Sequence, residues 1–296
     1  MFENSIEAVA AFTRPVNTIM RTYGGKQITT GSSTLFFVNN EGYAITCKHV
    51  IDLLASSEKI NQTYFEFKSE RDSIPQDGKF KTRLKGLEMK YKYSPETVVQ
   101  IKNTFVDCVD SMSGFTWHVH PQFDLAILKF NDYKTIHYTG HAIFLKDTST
   151  IKQGKFLCRL GFPFPEFTNF RYNEFTDDIE WTTAGNPGSP RFPIEGMVTR
   201  FLVEENKLYG IELSTAGLRG QSGGPLFNEK GVVYGMQFST KHLHLGFDII
   251  DKEILIDNKI KKISNYSFIH LGQCIHADII KGFLLEKKVV FYEQDQ

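Results

Sequence analysis

Residues 220–225 read Gly-Gln-Ser-Gly-Gly-Pro, and this hexapeptide restricts the fold more than any other stretch of the chain. Glycine adopts positive φ and lets another backbone approach closely, so three glycines around one serine predict a tight turn. A serine on such a turn presents its hydroxyl outward, while the neighbouring N–H groups converge on one small pocket. Acyl transfer requires this combination of a nucleophile and oxyanion donors. Taken alone, the hexapeptide is also compatible with a glycine-rich hairpin turn that exposes a serine.

Two further stretches supply possible partners for this serine. Residues 44–50, Ala-Ile-Thr-Cys-Lys-His-Val, predict an apolar strand that ends at His49. Residues 123–129, Phe-Asp-Leu-Ala-Ile-Leu-Lys, predict a buried strand that Asp124 opens. A nucleophilic serine needs a base, and the base needs a carboxylate that fixes its tautomer and stabilises the imidazolium. The chain contains all three groups, in the order His49, Asp124 and Ser222.

The order of these groups separates two kinds of hydrolase. Residues 220–224 also fit the nucleophile elbow of α/β-hydrolases, in which the acid and the histidine follow the serine. His276 with Asp248 or Asp257 would then take those roles. However, Ser222 lies late in the chain and no alternation of strands and helices precedes it. The sequence therefore favours the order in which histidine comes first and serine last.

Three motifs together resemble the trypsin-like peptidases, and most closely the bacterial HtrA (DegP-like) branch. The motifs are residues 31–37 with 42–50, residues 124–128, and residues 220–226 with 231–236. They run from about residue 31 to residue 239, which is most of the chain. The resemblance implies a serine endopeptidase with His49 as base, Asp124 as the residue that orients it, and Ser222 as nucleophile.

The resemblance also implies the architecture. It predicts an all-β, chymotrypsin-like double β-barrel with short helices at both ends. Residues 1–150 would form the first barrel with a leading helix over 5–12, and residues 151–296 the second barrel with a final helix over 276–285. The chain stops near the end of the family's protease domain, so we expect the PDZ modules of many relatives to be missing.

Further site residues are expected by the same resemblance. The oxyanion hole is assigned to the loop residues Gly220, Gln221 and Ser222, with the N–H groups of the first and third as donors. The substrate-binding residues are expected to be Thr215, Ala216, Gly217, Gln237, Phe238 and Ser239. None of residues 215–217 is acidic, which argues against a preference for Lys or Arg and leaves a small or apolar preference. Gln221 stands where digestive relatives carry an aspartate, so we expect loop ordering by substrate or a partner instead of zymogen activation.

Composition limits the partners and the compartment. Lys+Arg and Asp+Glu both number 34 among 296 residues, which gives no reason to expect binding to nucleic acid or to an anionic membrane. The N-terminus has no basic region of a signal peptide, and no apolar run is long enough to span a bilayer. The four scattered cysteines are read as reduced thiols, so a cytoplasmic location is expected.

No cofactor and no metal site are expected. His118 with His120, and His242 with His244, have the spacing of zinc ligands, but no third ligand accompanies either pair. Three long segments are expected to vary. The 75 positions from His49 to Asp124 predict extra strands and a large surface loop. Residues 163–193 predict either a variable surface segment or a regulatory loop. Residues 240–267 predict an irregular insertion.

Two alternatives to the protease interpretation remain at this point. A double barrel that only binds peptide strands could keep the three residues by descent, and an esterase could use the same triad. The resemblance predicts a protein or peptide substrate and allows a regulatory protein partner.

Overall fold

The computed structural model describes residues 2–295 and is mostly β-structure arranged in two lobes. Four α-helices accompany the sheets in this part of the chain. They are α1 (Glu3–Ala10), α2 (Lys48–Asp72), α3 (Phe80–Tyr91) and α4 (Ala277–Glu286). One short 3₁₀ turn, Thr148–Thr150, precedes residues 156–161 of the second lobe.

The first lobe is a six-stranded antiparallel sheet with the strand order β4-β1-β2-β3-β6-β5. Its strands are β1 (Thr13–Thr22), β2 (Ile28–Phe37), β3 (Tyr43–Thr46), β4 (Val98–Phe105), β5 (Gly114–Val119) and β6 (Ala126–Asn131). The two edge strands approach each other because the rings of Phe105 on β4 and Phe115 on β5 lie 5.2 Å apart, edge to face. Backbone hydrogen bonds form only a half-barrel, and the packing of these side chains closes the gap between its two edge strands.

The second lobe is a ring of strands. Its strands are β7 (Ile143–Leu145), β8 (Phe156–Gly161), β9 (Phe170–Asn173), β10 (Asp178–Trp181), β11 (Phe192–Glu204), β12 (Lys207–Leu213), β13 (Pro225–Phe227), β14 (Val233–His244), β15 (Ile249–Ile256), β16 (Lys259–Asn265), β17 (Phe268–His276) and β18 (Tyr292–Gln294). The order β13-β8-β11-β12-β17-β14 closes on itself because β13 also pairs with β14, and β7 and β18 extend the sheet beyond β14. The all-β double-barrel architecture expected from the sequence is confirmed.

One apolar core runs through both lobes. Leu35 and Phe36 of the first lobe belong to the same buried cluster as Phe227 and Met236 of the second. Fully burying a side chain of this size contributes roughly 1.5–3 kcal/mol. The shared core therefore fixes the two lobes against each other, and with them the loops at their junction.

The segment between His49 and Asp124 differs from its prediction. It contains the strands β4 and β5, but helices α2 and α3 occupy much of it, where we expected extra strands and a large surface loop. The apolar stripe of α2 is interrupted by Asn61, so the helical period is weak in the sequence. In the fold, the Asn61 side chain donates to the Ile101 carbonyl at 2.7 Å and accepts from its N–H at 2.9 Å. This polar residue therefore holds α2 against the edge strand β4.

Some of the remaining predictions agree with the structure and others do not. The terminal helices exist, although α1 begins at Glu3 and the Ser5 hydroxyl donates to the Phe2 carbonyl instead of capping the helix. Residues 240–267 are not irregular, because β14 continues into them and β15 pairs with β16 as a hairpin. The four cysteines are free thiols. Within residues 2–295, no helix is both long and apolar enough to cross a membrane.

Candidate active site

His49 is positioned by the junction of β3 and α2. The strand ends at Thr46, Cys47 is extended at φ −77° and ψ 150°, and His49 is the second residue of the helix. Its ring Nδ1 lies 2.7 Å from Asp124 Oδ2, and its backbone N–H donates to Asp124 Oδ1 at 3.0 Å. Two bonds from one residue fix the imidazole relative to the carboxylate, and they leave the other ring nitrogen free to act as a base.

Asp124 is held in its ionised form. Burial acts to raise the pKa of this carboxyl group, but the side-chain and backbone hydrogen bonds from His49 lower it, and the net pKa lies below the ordinary value. The carboxylate also faces the N-terminus of α2, where the helix dipole favours negative charge. Asp124 can therefore orient a neutral His49 and stabilise the imidazolium.

The loop that carries Asp124 is organised by His120, for which the sequence suggested only the spacing of a zinc-ligand pair with His118. Its Nδ1 accepts from the N–H groups of Gln122 at 3.1 Å and Phe123 at 3.0 Å. Its ring also packs edge to face on Phe283 of α4, with centroids 5.0 Å apart. Because burial lowers the pKa of His120, the ring stays neutral and keeps Nδ1 as an acceptor.

The serine loop is built from two consecutive turns. Gln221 N–H donates to the Leu218 carbonyl at 3.0 Å, and Gly224 N–H donates to the Gln221 carbonyl at 2.8 Å. Gly223 has φ +87°, and a Cβ there would lie 2.0 Å from the Thr34 carbonyl oxygen. Only glycine fits this position, because both the left-handed backbone and the close approach exclude a side chain.

The serine loop of the second lobe meets the histidine turn of the first. The thiol of Cys47 and the N–H of Gly223 both donate to the Gln237 carbonyl, at 3.4 and 2.9 Å. Cys47 lies two residues before His49, and Gly223 follows Ser222. In addition, the Ser222 carbonyl accepts from Thr34 N–H at 2.9 Å. The lobe contacts thus bring the predicted serine loop to the His49–Asp124 pair.

The bond that proton transfer requires is not made in this structure. Within residues 2–295, Asp124 is the only hydrogen-bond partner of the His49 ring. Catalytic hydrogen bonds are often loose in free enzymes and tighten when substrate binds.

Two N–H groups of the serine loop are available to an oxyanion. Gly220 N–H and Ser222 N–H donate to no acceptor in the described part of the chain, whereas Gln221 N–H is already bonded to the Leu218 carbonyl. Gln221 therefore does not serve as a third donor, and its assignment to the oxyanion hole is corrected. Its buried side chain instead accepts from Leu218 N–H at 3.0 Å and donates to the Phe192 carbonyl at 3.1 Å. A neutral amide thus stabilises the loop at the position where digestive relatives carry an aspartate.

The predicted substrate-binding residues fall into two groups. A half-exposed segment before the serine loop contains Thr215, Ala216 and Gly217. Gln237 is buried beneath this segment. The pairing of β14 with β17 shifts register between Gln237 and Ser239, so Phe238 lies at a bulge with no residue opposite it. Phe238 and Ser239 are half-buried and therefore remain candidates for contact with a substrate strand.

One group of side chains has a spacing compatible with a metal. The ligand atoms of Cys47, His49 and Asp124 lie within 4.8 Å of one another. However, burial raises the pKa of the Cys47 thiol, and the other two side chains are bonded to each other. This arrangement suits acid–base chemistry better than metal binding. In residues 2–295 neither H-x-H pair belongs to such a group, and His242 and His244 instead contact His270 and Asp248.

Residues 163–193 are attached to the first lobe by Asp177, in the turn between β9 and β10. Its carboxylate accepts from Arg21 at 2.9 Å, Arg71 at 2.8 Å, and the hydroxyls of Tyr64 and Tyr172 at 2.7 Å each. Burial acts to raise the pKa of Asp177, but these bonds hold it below the ordinary value. The segment is therefore docked on α2 and β1.

A large cavity lies away from the serine loop. Its volume is 1240 Å³, and it lies between α2 and the strands β4 and β5, with Leu54, Phe65 and Phe115 in its lining. None of the predicted site residues lines it.

Comparison with known proteins gives one family. A family model described as a trypsin-like peptidase domain matches residues 33–236. Among solved structures, an HtrA-type protease AlgW variant with decapeptide superposes with a TM-score of 0.46 and 12% identity, covering 98% of this chain and 68% of that one. The corresponding structure with tripeptide gives a TM-score of 0.44 and 13% identity, covering 96% and 62%. A search of curated proteins finds no match.

Proposed function

The chain belongs to the trypsin-like peptidase family, and from that premise we propose that it is a serine endopeptidase in which His49, Asp124 and Ser222 form the catalytic triad. The observation that carries the proposal is the pair of hydrogen bonds from His49 to Asp124, made at the point where the serine loop meets the first lobe.

The reaction would proceed through an acyl-enzyme. His49 removes the proton from the Ser222 hydroxyl as its oxygen bonds to the carbonyl carbon of a peptide, and the developing oxyanion receives the N–H groups of Gly220 and Ser222. His49 then gives the proton to the leaving amine as the C–N bond breaks. Water, deprotonated by the same histidine, then attacks the ester carbon. As the ester C–O bond breaks, His49 returns the proton to the Ser222 oxygen and the carboxylic acid product leaves. Asp124 stays ionised throughout.

Regulation through loop ordering is part of the proposal. Substrate, or a regulatory protein partner, would order the serine loop, since catalytic hydrogen bonds often tighten only when substrate binds. The neutral contacts of Gln221 support activation without chain cleavage, because no charged N-terminus is needed to hold the loop.

Hydrolysis of an unfolded protein by purified enzyme tests the proposal. We expect cleavage by the wild type and by Ser111→Ala, an exposed serine that is not among the predicted site residues, but none by Ser222→Ala. Undiminished cleavage by Ser222→Ala would refute the triad. A matched amide and ester of one acyl group separate peptidase from esterase, since an esterase hydrolyses only the ester. A protein that binds the peptide and hydrolyses neither compound is a non-catalytic binding module.

A further inference from the structure

Arg159 on β8 is a fully buried cation that the proposed reaction does not use. Its relative exposure is 0%. Nη1 donates to Gln237 Oε1 at 2.8 Å, and Nη2 lies 3.0 Å from the Thr215 carbonyl, 2.6 Å from Thr215 Oγ1 and 3.1 Å from the Ala216 carbonyl. Its Nε–H is buried and has no partner in the described residues. The guanidinium is thus bound only by neutral oxygen atoms.

No carboxylate balances this charge. Within residues 2–295, none of the ion pairs includes Arg159, and the ionisable groups that act on its pKa are the thiols of Cys274 and Cys158. Burial raises the pKa of both thiols, to about 12, so they remain neutral and supply no counter-charge. A buried charge without a partner is destabilising, and native proteins keep one mainly where a ligand or a reaction uses it.

The guanidinium lies behind the predicted specificity pocket. It contacts three of the six residues assigned to substrate binding, namely Thr215, Ala216 and Gln237. Space for it comes from Gly272, where a Cβ would lie 2.0 Å from Arg159 Nη1.

The Gln237 side chain contacts both the guanidinium and the segment of residues 215–217. A Cβ on Gly217 would lie 2.2 Å from Gln237 Nε2, so the amide packs directly against the segment before the serine loop. The same Nε2 donates to the Ser239 carbonyl at 2.5 Å, on the strand expected to bind substrate. A side chain that enters between residues 215–217 and that strand would therefore meet first the amide of Gln237 and then Arg159.

We propose that Arg159, together with Gln237, selects substrates with an acidic side chain at P1, the residue whose carbonyl is attacked. This inference rests on the proposed function and names its substrate class. The carboxylate of a P1 glutamate supplies the counter-charge that the barrel lacks, and in a dry site that attraction is much stronger than in water. Because the guanidinium is fully buried, the longer glutamate side chain fits better than aspartate. The acidic preference replaces the small or apolar preference expected from the sequence.

The test compares peptide substrates that differ only at P1, carrying Glu, Asp, Gln, Leu or Arg. We expect the wild type to cleave the Glu peptide with a kcat/KM about tenfold above that of the isosteric Gln peptide, since hydrogen bonds to charged groups are stronger than neutral ones by about this factor. Arg159→Gln should bring the ratio of Glu to Gln near one, whereas a residue that only supports the wall would lower both values equally. Higher kcat/KM on Leu or Arg than on Glu, or an unchanged ratio in Arg159→Gln, would overturn the inference.

A binding measurement separates this inference from the proposed function. In Ser222→Ala, which keeps the pocket, a product-like peptide ending in Glu should bind about tenfold more tightly than one ending in Gln. If the protein cleaves peptides but binds the two products equally, it is a protease and the acidic-pocket inference is wrong. If it binds the Glu product selectively but hydrolyses nothing, the pocket is acidic-selective and the proposed protease function is wrong. If Arg159→Gln fails to fold, the kcat/KM values of the wild type on the five peptides and this ratio of product affinities test the inference without it.

Discussion

Thr34→Val tests whether the first lobe positions the oxyanion loop of the second. Thr34 is buried, and its Oγ1 donates to the Gly220 carbonyl at 2.7 Å and accepts from Phe162 N–H at 3.3 Å. Valine keeps the shape and the β-branch but removes both bonds. Gly220 has φ +91° and provides one of the two proposed oxyanion donors, so its carbonyl contact anchors the donor residue itself.

The expected loss of stability follows from the Gly220 carbonyl and the Phe162 N–H, which Thr34→Val leaves without their partner. A buried polar group without its partner costs about 1–3 kcal/mol, and the longer bond from Phe162 is the weaker of the two. We therefore expect Thr34→Val to lower the free energy of unfolding by about 2–4 kcal/mol. Losing an oxyanion donor costs roughly 3 kcal/mol of barrier, which is about 100-fold in kcat, so a displaced Gly220 should reduce kcat by up to that factor.

Two assays check these values. Urea unfolding gives the stability change, and hydrolysis of a peptide substrate gives kcat and KM. Thr29→Val is the matched control, because Thr29 is an exposed threonine on the same strand β2, and it should change neither quantity appreciably. A Thr34→Val protein that loses the expected stability but keeps full kcat would refute the link between this hydrogen bond and the oxyanion loop.

Three further perturbations probe the site. Asp124→Asn should lower kcat by about 10⁴-fold with little change in KM, because an amide stabilises the wrong tautomer of the histidine, and unchanged turnover would contradict this role. Gly223→Ala should destabilise the protein far more than Gly140→Ala, since both glycines have positive φ but only Gly223 would place its Cβ against backbone, and equal unfolding midpoints would show that the loop can shift. Burial lowers the pKa of His120 in the folded state below its ordinary value of 6.5. The neutral His120 ring therefore contributes fully to stability above pH 6.5, and this contribution declines as the pH falls through the lowered pKa. His120→Phe, which retains an aromatic ring, should therefore show a shallower loss of unfolding free energy below pH 6.5, and an identical slope would exclude His120 as a source of the acid sensitivity.

The sequence predicted the architecture because the motifs that specify it are local. Residues 44–50 and 220–225 each combine a strand end with a functional residue and its turn, so their spacing and order were readable without coordinates. Tight positions such as Gly223 were also foreseen, since glycine at such a site reflects backbone geometry.

Residues whose roles depend on distant partners were not predictable. Asn61 reads as a polar break in an apolar stripe, and only its two bonds to Ile101 explain why α2 continues through it. His120 has no sequence signal for its two backbone bonds. Arg159 left a trace, because a cation inside the apolar run of residues 156–162 is unusual, but nothing in the chain indicates that its partners are at residues 215, 216 and 237.

Labelling with a fluorophosphonate, followed by intact mass measurement and peptide mapping, tests the central claim that His49 and Asp124 activate Ser222. Only an activated serine reacts with this reagent at an appreciable rate. The account predicts one adduct per chain, located on Ser222, and its loss in His49→Ala. An adduct on a different residue, or an unmodified chain that still hydrolyses peptides, would contradict it.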